Sequence, residues 1–380
     1  MIPSLMSRKK AKLQVVAGKR AAPPAAAPGK KPAPARAGRE NTARGNSAAA
    51  VPSQVPHQVS GRWLLKAVAG ALLAACLCTW GALCLLFGQG YWQLLYHPSA
   101  AITRTPASVG LSFDSVGFAT NSSGVTSLNG WWIAAPPNTA TNASPNSTDG
   151  RYTVLFLHGA DGNLSACVDH LAQFHAARVN VFAFDYRGYG QSQFAHPSET
   201  HWLDDANAAL RYLIATRHID PHNLVIDGSA LGANLALELA AAHPDLAGVV
   251  AESPLENATS IIFSDARAQL VPAHWLAHDR WDLAASAAAL RVPSLWFLPF
   301  PSQTQPGELP RNPSFFEKVP AAKMFVWLPP GRDTTVNFSD EFARWLDSLH
   351  PANTQAQPPA QPQSPKSPRR ASRRHHTTTR

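Results

Sequence analysis

Residues Ala67 to Phe87, AVAGALLAACLCTWGALCLLF, carry no charge over 21 positions. A helix rising about 1.5 Å per residue covers roughly 31 Å over that length, the thickness of a bilayer's hydrocarbon core. Arg62 and Lys66 flank its start, and Trp80, Tyr91 and Trp92 suit an interface toward its end. The pattern predicts one transmembrane helix over 63–88. The Lys/Arg excess before it sets the N-terminus in the cytoplasm and the following domain on the extracytoplasmic side. LAAC, Leu73 to Cys76, matches a lipoprotein cleavage box, but the long charged region before it and the apolar residues after it argue against processing there.

Past the helix the periodicity changes. VGFAT and LNGWWIA alternate apolar and polar residues around the turn residues NSSG, which predicts a β-hairpin. After a polar loop, Asn138 to Gly150, apolar runs alternate with segments of helical spacing. YTVLFLHG, VNVFAFD, NLVIDG, LAGVVAE, PSLWFLPF and KMFVWLPP read as strands. CVDHLAQFHAA, WLDDANAALRYLIATR, ALGANLALELAAAH and SDEFARWLDSL read as helices. Near-continuous apolar strands alternating with helices predict an α/β fold. Its sheet is mostly parallel and doubly wound, with an N-terminal β-hairpin, and one transmembrane helix precedes it. The domain should cover 89–350. Residues 1–62 form a basic Ala/Pro-rich tail and 351–380 a second basic tail; neither can bury a core, so both are expected to be disordered.

Charge sharpens this division. Of the 33 basic residues, 13 lie in residues 1–66 and 6 in residues 351–380, against a single acid there, Glu40. The middle keeps 14 basic and 23 acidic residues, a net charge near −9. The overall +9 therefore belongs to the tails, and no nucleic acid is expected to bind the folded domain. Cys76, Cys78 and Cys84 share the apolar stretch, and Cys167 alone falls in the domain, so cysteine usage does not fix the compartment.

The segment VIDGSALGANLAL, residues 225–237, reads as a strand entering a helix through a glycine turn. Serine hydrolases carry their nucleophile at the apex of such a turn, as Gly-x-Ser-x-Gly. Here Gly228 and Gly232 keep the frame, Ala230 occupies the centre, and Ser229 stands one position early.

Together FLHGADGN, FDYRGYGQSQFAHPSE, VIDGSALGANLALELA and AESPLENA resemble the α/β-hydrolase fold. With LYHPSAAITRTPASVGLSF after the membrane helix, the chain is most similar to the membrane-anchored Bem46-like serine hydrolases (serine aminopeptidase-like), over about Tyr91 to Leu349. The resemblance implies an oxyanion hole from the backbone N–H groups of Ala160 and Leu231, and it assigns Asp185 and Arg187 to bonding within their turn. It also places the acid after SLWFLPF, where the chain reads LPFPSQTQPG with no carboxylate before Glu308. The histidine position follows the last strand, where LPPGRDTTVNF offers only Arg332 or Asp333. Three concordant departures point to lost selection for this chemistry. Ser229 precedes the apex, should face away from the oxyanion donors, and has no evident histidine partner.

Other candidates are weaker. His274 and His278 stand at i, i+4 but lack a third ligand. Cys167 reads as a small buried residue, and Glu252 as a structural carboxylate rather than a displaced acid. No cofactor and no metal site is expected. The sequence leads to a membrane-anchored pseudo-hydrolase that binds a small acyl ligand or a protein partner. The alternative is an active ester or thioester hydrolase with a rearranged site that uses Ser229. A third possibility is a scaffold whose basic tails touch anionic lipid or nucleic acid.

Overall fold

The computed structural model describes residues 60–120, 126–137, 150–301, 311–328 and 338–349. Apart from residues 60–62, the two tails lie outside this set, as do the hairpin turn and most of the polar loop. The chain divides into two units at Gly61/Arg62, and every strand lies in the second.

Helix α1 spans Gly61–Gly90. It is long and apolar enough to cross a membrane. Its leucines are exposed along most of its length, and only near its end does it join the domain. There Phe87 and Tyr91, with Leu95 and Tyr96 just beyond, enter the main core. Tyr96 donates its hydroxyl hydrogen to Asp279 Oδ2 at 2.8 Å and accepts from Trp281 Nε1 at 3.1 Å.

The first two strands of the main sheet are β2 (Asp114–Ala119) and β3 (Thr126–Ile133), an antiparallel pair as expected for the hairpin. Then follow β4 (Thr153–Leu157), β6 (Asn180–Asp185), β7 (Leu224–Ser229), β8 (Gly248–Glu252), β9 (Ser294–Pro299) and β10 (Lys323–Leu328). The eight-stranded order is β10-β9-β8-β7-β4-β6-β3-β2, parallel from β10 to β6. A small parallel pair, β1 (His97–Pro98) with β5 (Asp161–Gly162), ties the segment after the membrane helix to the loop after β4.

Strand alternation divides the core. Leu155, Phe182, Ile226, Val249 and Trp296 face the helices α3 (Glu199–Ala215), α4 (Leu231–Ala242), α7 (Leu283–Ala289) and α8 (Ser314–Glu317). Val154, Phe156, Val181, Val225, Val250 and Phe297 face α2 (Val168–Ala176) and α9 (Phe338–Leu349). The last helix is amphipathic and buries Phe338, Phe342, Trp345 and Leu346.

Between β8 and α7 run two short helices, α5 (Ala258–Ser264) and α6 (Ala273–Leu276), and the segment joining them meets α1. Trp80 donates its indole N–H to the Leu270 carbonyl at 3.1 Å. Ile261, Leu270 and Trp275 are exposed in this segment, Trp275 to 84%.

Candidate functional site

Strand β7 turns into α4 at Ala230, whose φ of 51° and ψ of −117° no ordinary strand or helix residue adopts. The turn is fixed from both sides. The Ala230 N–H donates to the Glu252 carbonyl at 2.8 Å, and the Ala230 carbonyl accepts from Ala233 N–H at 3.0 Å. The two glycines are required sterically. A Cβ on Gly228 would run into the Gly232 backbone, and one on Gly232 into the Leu157 and His158 carbonyls. The nucleophile elbow is therefore built in full around a methyl group.

The loop after β4 meets this apex: a Cβ on Gly159 would come within 3.5 Å of the Ala230 Cβ. The segment DYRGYG holds the loop in place. Tyr186 donates its hydroxyl hydrogen to the His158 carbonyl at 3.1 Å, and Tyr189 donates its own to the Ala160 carbonyl at 2.9 Å. Asp185 accepts from Leu164 N–H at 2.9 Å. Arg187 donates through Nε to Asp205 Oδ1 at 2.6 Å, anchoring the turn to α3. Asp185 and Arg187 thus have the structural part the sequence suggested. The N–H groups of Ala160 and Leu231 donate no hydrogen bond among the described residues.

His158 lies inside an aromatic cage, its ring centre 4.5 Å from Tyr186 and 5.2 Å from Tyr189. Burial holds its imidazole down to about 4, so it is neutral near pH 7. Its Nε2 lies 3.5 Å from Asp185 Oδ1, and burial pushes that carboxyl up to about 7.

Below the elbow, on the α2/α9 face, three ionisable groups converge: half-buried His170 on α2 and buried Asp227 on β7 and Glu252 on β8. One ligand atom from each lies within 4.8 Å of the others. His170 Nε2 is 2.7 Å from Glu252 Oε1, yet neither atom has a partner in hydrogen-bond geometry, and both Asp227 carboxylate oxygens also lack one. Burial, then the Glu252 charge, push the Asp227 carboxyl upward.

The description "Serine aminopeptidase, S33" matches residues 148–359. The chain belongs to this family of α/β hydrolases. It is 29% identical over 174 residues to the uncharacterized protein YfhR of Salmonella typhimurium, covering 43% of this chain and 56% of YfhR. It is 34% identical over 125 residues to alpha/beta hydrolase domain-containing protein 17C of Xenopus tropicalis, covering 33% of this chain and 39% of that protein. The matched regions thus span about half, or less, of these relatives. Among solved structures it is similar to the Pyrococcus furiosus esterase PF2001, at 18% identity over 67% of this chain and 97% of the esterase, with a TM-score of 0.48.

Ala230 stands at the apex of the β7–α4 turn, where the sequence reading expects the nucleophile. Ser229 ends β7 beside Glu252 in register and, by strand alternation, shares a face with Asp227. The sequence offers no histidine for it, but the fold puts His170 on that same face. No hydrogen bond reaches the Ser229 hydroxyl among the described residues. The expected acid and histidine positions, with Glu308, Arg332 and Asp333, lie outside the described residues. No histidine occurs anywhere between His278 and His350. Cys167 carries a thiol that burial pushes up to about 12, which leaves it unreactive. His274 stacks on Phe263 at 3.9 Å, and His278 lies beyond the end of α6.

Asp227 and His170 are the site residues the sequence reading missed. Asp227 interrupts an apolar strand, LVIDG, at a position where both neighbours are buried. His170 lies at the edge of the buried face of α2, beside Leu171 and one turn before Phe174. Those two anomalies were the available signal.

Proposed function

We propose that this chain is a membrane-anchored serine aminopeptidase family member without serine hydrolase chemistry at its elbow, serving to bind a small acyl ligand or a protein partner. Its N-terminus lies in the cytoplasm and its domain on the opposite side of the membrane. The single observation that carries this reading is Ala230 at the elbow apex with φ 51°. The strained turn, its glycines and the open N–H groups of Ala160 and Leu231 persist around a side chain that cannot attack a carbonyl. Backbone donors in the oxyanion position without a nucleophile would still recognise a carbonyl oxygen, which favours an acyl ligand over a nucleic acid.

A second reading keeps catalysis. His170 lies 2.7 Å from Glu252, and both share a sheet face with Ser229. In that reading Ser229 attacks an ester or thioester, with His170 as its base.

One experiment separates the two. The full chain in detergent micelles is assayed with p-nitrophenyl esters from acetate to palmitate beside its Ser229→Ala variant. Equal, background turnover supports the binding role. Turnover that Ser229→Ala abolishes overturns it in favour of the rearranged hydrolase.

A further inference from the structure

The sequence alone suggested no metal site, because His170, Asp227 and Glu252 belong to three separate elements. The fold brings them together on one face of the sheet, directly below the elbow.

Their surroundings are apolar. The His170 ring lies 5.2 Å from Phe156, 4.8 Å from Phe174 and 4.7 Å from Phe338, centre to centre. Asp227 is fully buried, and Glu252 nearly so. Two carboxyl groups this close in such a setting are stable only if they share a proton or a cation. A shared proton satisfies one oxygen of each carboxyl. It leaves the second Asp227 oxygen unpartnered, and His170 Nε2, though 2.7 Å from Glu252 Oε1, out of hydrogen-bond geometry with it. A cation seated among the three groups satisfies all of them at once.

We propose that His170 Nε2, Asp227 and Glu252 form a binding site for one divalent first-row metal ion, of the zinc or manganese class. One imidazole and two carboxylates are the donors such ions take. Calcium is disfavoured, since it calls for six or more oxygens. Three protein ligands leave coordination positions open beneath the elbow. A metal on His170 Nε2 takes up the lone pair that the rearranged hydrolase would need as its base, so this site goes with the binding role.

The test uses the full chain purified in detergent micelles, stripped with a chelator and then dialysed against zinc or manganese chloride. Elemental analysis should find one zinc or manganese per chain. Adding the metal should raise Tm by several degrees over the stripped protein. Asp227→Asn and Glu252→Gln should each lose the bound metal and the Tm shift. Asp227→Leu, which restores an apolar strand, guards against a variant that fails to fold and should also bind none. Wild type that binds neither ion and melts at the same temperature with and without them overturns the site. So does metal that stays bound at the wild-type level in Asp227→Leu, which would put it elsewhere on the chain.

Discussion

The Ala230 N–H donates to the Glu252 carbonyl at 2.8 Å, so the empty nucleophile seat is bolted to the strand that carries a buried carboxylate. The elbow's geometry therefore depends on the β7–β8 pairing and not on any hydroxyl. Restoring a serine should consequently restore shape without restoring chemistry. Ala230→Ser is expected to leave kcat/KM for p-nitrophenyl butyrate at least about 10³-fold below that of an intact triad, because the chain has no histidine between His278 and His350, where the triad histidine is expected. A steady-state ester assay reads this directly.

The apex conformation is a strained one for alanine and an easy one for glycine. In the proposed binding role the strain has no catalytic use. Ala230→Gly should raise stability by about 1 kcal/mol, the relieved strain outweighing glycine's greater freedom in the unfolded chain. Urea unfolding followed by tryptophan fluorescence measures it.

His158 and Asp185 set opposing pH trends. The His158 pKa falls on folding to about 4. The unfolded chain therefore binds the extra proton between about 6.5 and 4, and stability drops as pH falls through that window. Asp185 is raised to about 7, so its contribution is present at low pH and is lost as pH rises from about 4 to 7. The two trends offset each other in wild type. His158→Gln removes the first trend. Relative to wild type, that variant should gain about 3 kcal/mol on going from pH 7 to pH 4, as measured by urea midpoints at the two values.

Trp80 holds the Leu270 carbonyl partway along the membrane helix. Ile261, Leu270 and Trp275 then extend an apolar surface beside that helix. If that helix spans a membrane as proposed, a patch of this kind belongs in the lipid interface. A nitroxide on Leu270→Cys, in vesicles, should collide more with oxygen than with a water-soluble nickel chelate. The reverse preference would place this segment in water.

Much of the fold was legible in the sequence because buried parallel strands announce themselves as short apolar runs. The long apolar helix α1 was legible because 21 uncharged residues run in a row. The elbow could be read because Gly228 and Gly232 answer to a local steric demand that their spacing records. The buried cluster could not, since His170, Asp227 and Glu252 meet only through the sheet and through α2 packing on it. The same holds for the two-residue pairing of His97–Pro98 with Asp161–Gly162, where no periodicity can register in so short a strand. The roles of Tyr186 and Tyr189 emerge only when their hydroxyls are seen to hold the carbonyls of His158 and Ala160.

The central claim is that this elbow holds no nucleophile, and a fluorophosphonate probe tests it most directly. The full chain in detergent micelles, treated beside an active serine hydrolase, should remain unlabelled where the control is labelled to completion. Robust labelling of the wild type, abolished by Ser229→Ala, would contradict the account.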